Sequence, residues 1–385
     1  MTLDSGGGGA VTALIDAIER RVRQVHTQSL DLSFNELLDM HSNHELDISP
    51  EYQRLFQWSE GARSRFIESL LLEMPVPPIY VVEEEDGRYL LIDGLQRISS
   101  YLHLRGRLVA THLQPPVNYG EMLTLSDCDI VTELNGRTYD DLGTALQIRL
   151  KRAFVRVEVV RKGSDARFKY YMFKRLNTGG ALLSDQQIRN CTIRLLDPTF
   201  NDFIIELSND RDFAACCEIL TQERTLAAFD QELVLRFFAL KNARERFKHD
   251  VSDFLTEYME NVSDPERGSN FDYAEERRQF QRTFRILGAT LGDRAFAYAN
   301  PQRTKITRGF SVYHYEALTV GLQPELNRLD PDDTDQMQRL GEVLTQLKLD
   351  PEFIRITTGG GKNSPGPLDD RIQFVARRVT QFLAA

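Results

Sequence analysis

The apolar pattern of this chain changes period once. Up to Val160 it switches between short strand-like runs and helical stripes; from Ser164 onward only the helical period remains. A chain patterned in this way is expected to be α+β, with a mixed sheet and helices first and an all-helical part after it. The reading places a flexible tail and leading helix over 1–27, a mixed domain over 28–163 and a helical domain over 164–385. No linker rich in proline, glycine or serine separates the two main parts, which predicts that they pack on each other.

In the first part, Leu14, Ile15, Ile18 and Val22 put one apolar face on a helix over 12–24. Ser33 caps a predicted helix over 34–40, and Leu46 and Ile48 begin an extended segment. Ser59 caps a second helix with the stripe Phe66, Ile67, Leu70, Leu71 and Met74, stopped by Pro75, Pro77 and Pro78. Strands over 79–83 and 88–92 flank Glu84-Glu85-Asp86-Gly87, a hairpin signal. A strand over 108–113, a hairpin of 130–134 with 137–139 about Asn135-Gly136, a helix over 141–151 and a strand over 154–160 complete the part. In the second part, Ser164 caps a helix reaching Leu176, and Ser184 with Gln187 forms a capping box. Further helices are predicted near 201–207, 230–242, 251–259, 273–291, 311–322, 335–347 and 371–383, with a loop over 357–366.

The stretch from Tyr89 to Ser100 carries the most chemistry. A short apolar run turns at Asp93-Gly94 and continues as a helix with Leu95, Ile98, Tyr101 and Leu102 on one face. Such a turn leaves backbone N–H groups at a helix N-terminus, beside Arg97 in the first turn, which is the chemistry of a phosphate site. Gly94 admits close approach of a ligand, and Gln96 can bond phosphate, base or water. Asp93 can bind Mg²⁺ or orient an attacking water. Read alone, the stretch is also an ordinary strand-to-helix junction with Arg97 in a surface salt bridge.

Three other groups qualify. Tyr52, Gln53 and Arg54 precede Phe56 and Trp58: Arg54 can pair with phosphate and the rings can stack a base, or the rings are core and Arg54 pairs with a carboxylate. Asn177, Thr178, Gly179 and Gly180 before the Ser184 helix form a second possible anion loop, or a plain helix-loop-helix. Between Arg149 and Arg175, the residues Arg149, Lys151, Arg152, Arg156, Arg161, Lys162, Arg167, Lys169, Lys174 and Arg175 face only Glu158 and Asp165. Such an excess either tracks a nucleic-acid backbone or is a solvated face.

Net charge is −10, so nucleic acid is not expected to adhere to the whole surface. The four cysteines have no zinc spacing and read as core residues in a reducing cytoplasm. No apolar run approaches the roughly 20 residues of a membrane span, and the glycine-rich start reads as neither a signal nor a transit peptide. There is no P-loop, nucleophile elbow or zinc-protease motif, and the seven scattered histidines assemble neither an HNH nuclease block nor a metal site.

The order of the motifs is more specific than any one of them. Tyr52-Gln53-Arg54 with Phe56 and Trp58, then Ile92-Asp93-Gly94 with Gln96-Arg97, then 175–180 with Ser184 and Ile188-Arg189-Asn190, then 232–240, resembles the family built on the S part of the GmrSD type IV restriction enzymes. The likeness covers about Leu30 to Tyr258. It implies a ParB/sulfiredoxin-like first domain and a role in prokaryotic anti-phage defence. It also implies binding, and for related members hydrolysis, of a nucleoside triphosphate with Mg²⁺. By this likeness Tyr52, Gln53, Arg54, Gly94, Arg97, Asn177, Thr178 and Gly179 bind nucleotide, with Asp93, Gln96 and Arg97 as the catalytic candidates.

The sequence departs from the family pattern at two positions. Leu95 stands where the family has a glutamine, and Gln187 where it has a glutamate. The fused HNH domain is absent from this sequence, so the resemblance implies a separately encoded nuclease subunit. Two alternatives stay open at this stage. One is a DNA nickase that holds its substrate with Arg149, Lys151, Arg152, Arg161, Lys162, Lys169 and Lys174. The other is a non-catalytic module that binds a partner and keeps a vestigial pocket. The base of the nucleotide and the oligomeric state are not legible.

Overall fold

A computed structural model describes residues 14–15, 18–19, 26–48, 56, 58–177, 184–248, 250–267, 270–300, 302, 304–307 and 309–384. The chain divides into two compact units, Met1–Leu183 and Ser184–Ala385. The fold is α+β: every strand named below lies in the first unit, and the second is built from helices. Of the predicted helix over 12–24, residues 14, 15, 18 and 19 are described and helical; the rest of it lies outside the described residues.

The first unit is organised on a five-stranded sheet of order β1-β5-β3-β4-β2. Its strands are β1 (Thr27–Ser33), β2 (Leu46–Asp47), β3 (Ile79–Glu83), β4 (Tyr89–Asp93) and β5 (Phe154–Val160). β1 pairs antiparallel with β5, β5 parallel with β3, β3 antiparallel with β4, and β4 parallel with β2. The period-two pattern of β5 works as expected: Val155, Val157 and Val159 are buried while Phe154 and Arg156 are exposed. Helices α1 (Phe34–Ser42), α2 (Glu60–Leu71), α3 (Leu95–Leu104) and α4 (Gly143–Arg152) pack on one another, and α5 (Ala166–Asn177) packs on β4. Ser33 and Ser59 cap α1 and α2 as expected, accepting from the N–H groups of Glu36 and Ala62.

Several local expectations fail where tertiary partners outweigh local pattern. Residues 27–33, assigned no strand from pattern, form the edge strand β1. Its apolar alternation is confined to Leu30 and Leu32. No strand forms over 108–113; Ala110 and Val117 make one isolated bridge. The predicted hairpin about Asn135-Gly136 is instead two short 3-10 turns, Thr132–Leu134 and Asp140–Leu142. The cause is visible in the hydrogen bonds. The buried Glu68 carboxylate takes the N–H groups of Ile130 and Val131, and the Asn135 amide exchanges two bonds with the Cys128 backbone. Met74 is not core: α2 stops at Leu71 and Met74 is 40% exposed. Ser164 does not cap α5; its hydroxyl bonds the backbone of His26, and Asp165 accepts the Phe168 N–H in its place.

In the second unit, the capping box of Ser184 and Gln187 opens α6 (Asp185–Ile193). Helix α7 (Phe229–Ala243) is central: Leu233, Val234, Leu235, Phe237, Phe238 and Ala239 are fully buried, so its middle is enclosed on all sides. A buried ionic chain crosses this unit. Arg189 of α6 reaches Glu232 of α7; Glu232 also holds Arg236; and Arg236 and Arg371 share Glu316 of α8 (Val312–Gly321). Cys128, Cys216 and Cys217 are free and buried, as small core residues should be.

Candidate functional site: the turn between β4 and α3

β4 ends at Asp93 and α3 begins at Leu95, so Gly94 alone makes the turn. Its φ is +110°, and a Cβ there would lie 2.7 Å from Cγ1 of Ile79 on β3. Both backbone sign and space therefore demand glycine. Gly94, at the cap position, has no side chain with which to cap α3. The aligned peptide dipoles give this end a partial positive charge, and its first N–H groups have no partner within the helix.

The side chains about the turn form a tight set. Asp93 Oδ1 accepts the Gly94 N–H at 2.7 Å, and Oδ2 accepts from Arg97 Nη2 at 2.9 Å. Arg97 Nη1 donates to the carbonyls of Pro77 and Pro78, at 2.5 and 3.0 Å. The Arg97 side chain is 11% exposed and that of Asp93 36%. The arginine is therefore a clamp between the turn and the proline segment that leads into β3. The carboxylate keeps an open side. Gln96 Oε1 accepts the Trp58 N–H at 3.1 Å, which ties the aromatic segment to the first turn of α3. Leu95 points into the core and is 4% exposed.

Behind Trp58 stands a pair that sequence reading did not select. Arg63 donates from Nε to the Trp58 carbonyl at 2.7 Å and from Nη1 to His103 Nδ1 at 3.1 Å. Its guanidinium lies 4.6 Å from the centre of the Phe56 ring. Because arginine only donates, His103 is neutral with its proton on Nε2. Burial and the neighbouring Arg63 charge push its pKa down to about 4. The signal was present in the spacing: Arg63 falls on the same face of α2 as Ile67, Leu70 and Leu71.

The predicted residues are distributed as follows. Asp93, Gly94, Gln96 and Arg97 share the turn, with Trp58 bound to it. Phe56 is core, 1% exposed. Tyr52, Gln53, Arg54, Thr178, Gly179 and Gly180 lie outside the described residues, as does the side chain of Asn177. The helix that Asn177 ends, α5, packs on β4, the strand that ends at Asp93. The Ile188-Arg189-Asn190 part of the third motif lies in the second unit, where Arg189 bonds Ser252, Thr256 and Glu232, and Asn190 bonds Gln231.

Three arginines of the basic run are answered by carboxylates distant in sequence. Arg149 pairs with Glu73, Arg156 with Asp31 and Arg161 with Glu83. Lys169 bonds the Lys162 carbonyl. Lys151, Arg152 and Lys162 are exposed, and the side chain of Lys174 lies outside the described residues. Among the described residues there is no cluster of metal-ligating side chains, and no helix is long and apolar enough to cross a membrane.

Compared with known families, residues 34–194 match the model described as GmrSD restriction endonuclease, N-terminal domain. The match runs from α1 through the Asp93-to-Arg97 turn to the end of α6. No curated protein and no solved structure matches the chain.

Proposed function

Residues 34–194 of the chain belong to the GmrSD restriction endonuclease N-terminal domain family, and from that premise we propose that it is a nucleoside-triphosphate-binding component of a prokaryotic restriction-type defence system. In this reading the phosphates lie at the start of α3, and binding or hydrolysis governs contact with DNA or with a separately encoded nuclease subunit. The observation that carries the reading is the turn itself. Gly94, held in the left-handed region against Ile79, puts no side chain of its own over the N-terminal end of α3, beside an arginine fixed in place by Asp93.

The chain's own groups divide the work. The α3 amides and Arg97 bind anionic oxygens, Asp93 presents its open side to the ligand, and Gln96 holds the Trp58 segment over the turn. Mg²⁺ carried by the triphosphate would neutralise phosphate charge, and the partly exposed Asp93 carboxylate is the group that fits it. Turnover would use Asp93 or Gln96 to orient water.

A second reading is favoured by two observations. Leu95, in place of an amide, is buried in the core, and the Arg97 donors are largely committed to Asp93, Pro77 and Pro78. Both features suit a pocket that binds without hydrolysing, in a module whose task is to hold a partner.

The experiment is a thermal-shift series on the full chain with ATP, GTP, CTP or UTP and Mg²⁺, run beside a phosphate-release assay. A ligand specific to the native state raises Tm. One of the four nucleotides is expected to do so, and Asp93→Asn or Arg97→Ala is expected to abolish the increment over each variant's own ligand-free Tm. No increment with any nucleotide overturns the reading; an increment without phosphate release selects the second one.

A further inference from the structure

The first unit carries a groove of about 880 Å³, formed by the end of α2 and the segment that follows it, by α4 and by β5. Its walls expose large apolar side chains: Met74 is 40% exposed, Ile148 41% and Phe154 69%. They come from the segment after α2, from α4 and from β5 and line one space, together with the buried Leu70. A contiguous apolar surface of this kind marks an interaction site more often than a solvated face. β5 is paired on both edges, by β1 and β3, so its wall offers no free backbone for strand addition. Recognition here runs through side chains, the mode in which a helix lays one apolar face into a groove.

Charge decides what kind of helix. The two carboxylates of the groove are occupied, Glu73 by Arg149 at 3.0 Å and Asp31 by Arg156 at 2.7 Å. At the last turn of α4, Lys151 and Arg152 are exposed, and among the described residues neither has a carboxylate partner. The uncompensated charge at this rim is positive on a chain whose net charge is −10. A second copy of the chain, acidic overall but with a basic rim at this same place, would bring like charges together across a two-fold contact. We propose that the groove docks an amphipathic helix of a partner protein, with carboxylates beside its apolar face.

The test uses the full chain and two designed amphipathic peptides with the same leucine stripe, one with glutamates and one with lysines on the polar face, read by fluorescence anisotropy. The glutamate peptide is expected to bind at least about tenfold tighter than the lysine peptide. Phe154→Ser should weaken it by about tenfold or more while leaving Tm unchanged, because the ring is already in water. Arg152→Glu should shrink the ratio between the peptides. Equal affinities, no binding of either peptide, or binding indifferent to Phe154→Ser would overturn the proposal. So would a concentration-dependent dimer, or duplex DNA binding, that Phe154→Ser or Arg152→Glu abolishes, since either assigns the groove to another occupant.

Discussion

Arg97 holds the Asp93 carboxylate at 2.9 Å and, with its other terminal nitrogen, the carbonyls of Pro77 and Pro78. One side chain thus joins the end of β4, the start of α3 and the segment entering β3. Arg97→Lys keeps a cation but not the planar fork, so it cannot satisfy all three acceptors. Loss of two or three such bonds should lower unfolding stability by roughly 1–3 kcal/mol in urea. Equal midpoints for Arg97→Lys and wild type would show that the clamp carries no stability.

The glycine beneath this clamp makes a separate prediction. Gly94→Ala meets two penalties, the positive φ and the 2.7 Å approach to Ile79 Cγ1. The backbone penalty alone is about 1–2 kcal/mol, and overpacking adds about as much. Ile79→Ala in the Gly94→Ala background should relieve the contact and leave the φ penalty, so the two substitutions should be less damaging together than their sum. Strict additivity in a double-mutant cycle would argue against the contact.

These two residues mark how far the sequence was legible. Asp93-Gly94 could be read because glycine at a strand-to-helix junction has a local cause. The Ser184 and Gln187 capping box could be read for the same reason: its partners are three residues apart. Arg97 read as a ligand-gripping or surface residue because its clamp partners, Pro77 and Pro78, lie about a hairpin away and offer only carbonyls, which no pattern displays. The failed hairpin about Asn135-Gly136 has the same origin, since the N–H groups of Ile130 and Val131 go to Glu68, more than sixty residues earlier. Arg149, Arg156 and Arg161 likewise looked unopposed because Glu73, Asp31 and Glu83 are remote in sequence.

His103 should make the first unit sensitive to acid. Its folded pKa is about 4 against an ordinary 6.5, because burial and Arg63 disfavour the imidazolium; Glu121 opposes them weakly. Between those values the unfolded chain binds the extra proton, so the stability is complete above pH 6.5 and is lost as pH falls through 4. The loss is up to roughly 3 kcal/mol. His103→Gln retains an acceptor for Arg63 and should flatten the urea midpoint between pH 7 and 4.5. The comparison must be made on a probe in the first unit, because His314 in the second, pushed to about 3 by burial and by the Lys348 charge, acts in the same direction.

Lys348 predicts a pH dependence in the alkaline range. It is fully buried, and its ammonium donates to the carbonyls of Arg294 and Ala295, at 2.5 and 2.7 Å, where a short 3-10 turn ends. No carboxylate offsets the burial, which pushes its pKa down to about 7 from 10.5. The unfolded chain therefore holds more protons between pH 7 and 10.5, and this residue's contribution grows across that window and falls as pH drops through 7. Lys348→Met keeps the volume of the stem but leaves two buried carbonyls without a donor, which costs about 1–3 kcal/mol at high pH. At pH 6 the wild type has to bury the charge and the variant does not, so the gap between them should narrow. A gap that is constant from pH 6 to 9.5 would mean that Lys348 does not titrate within the fold.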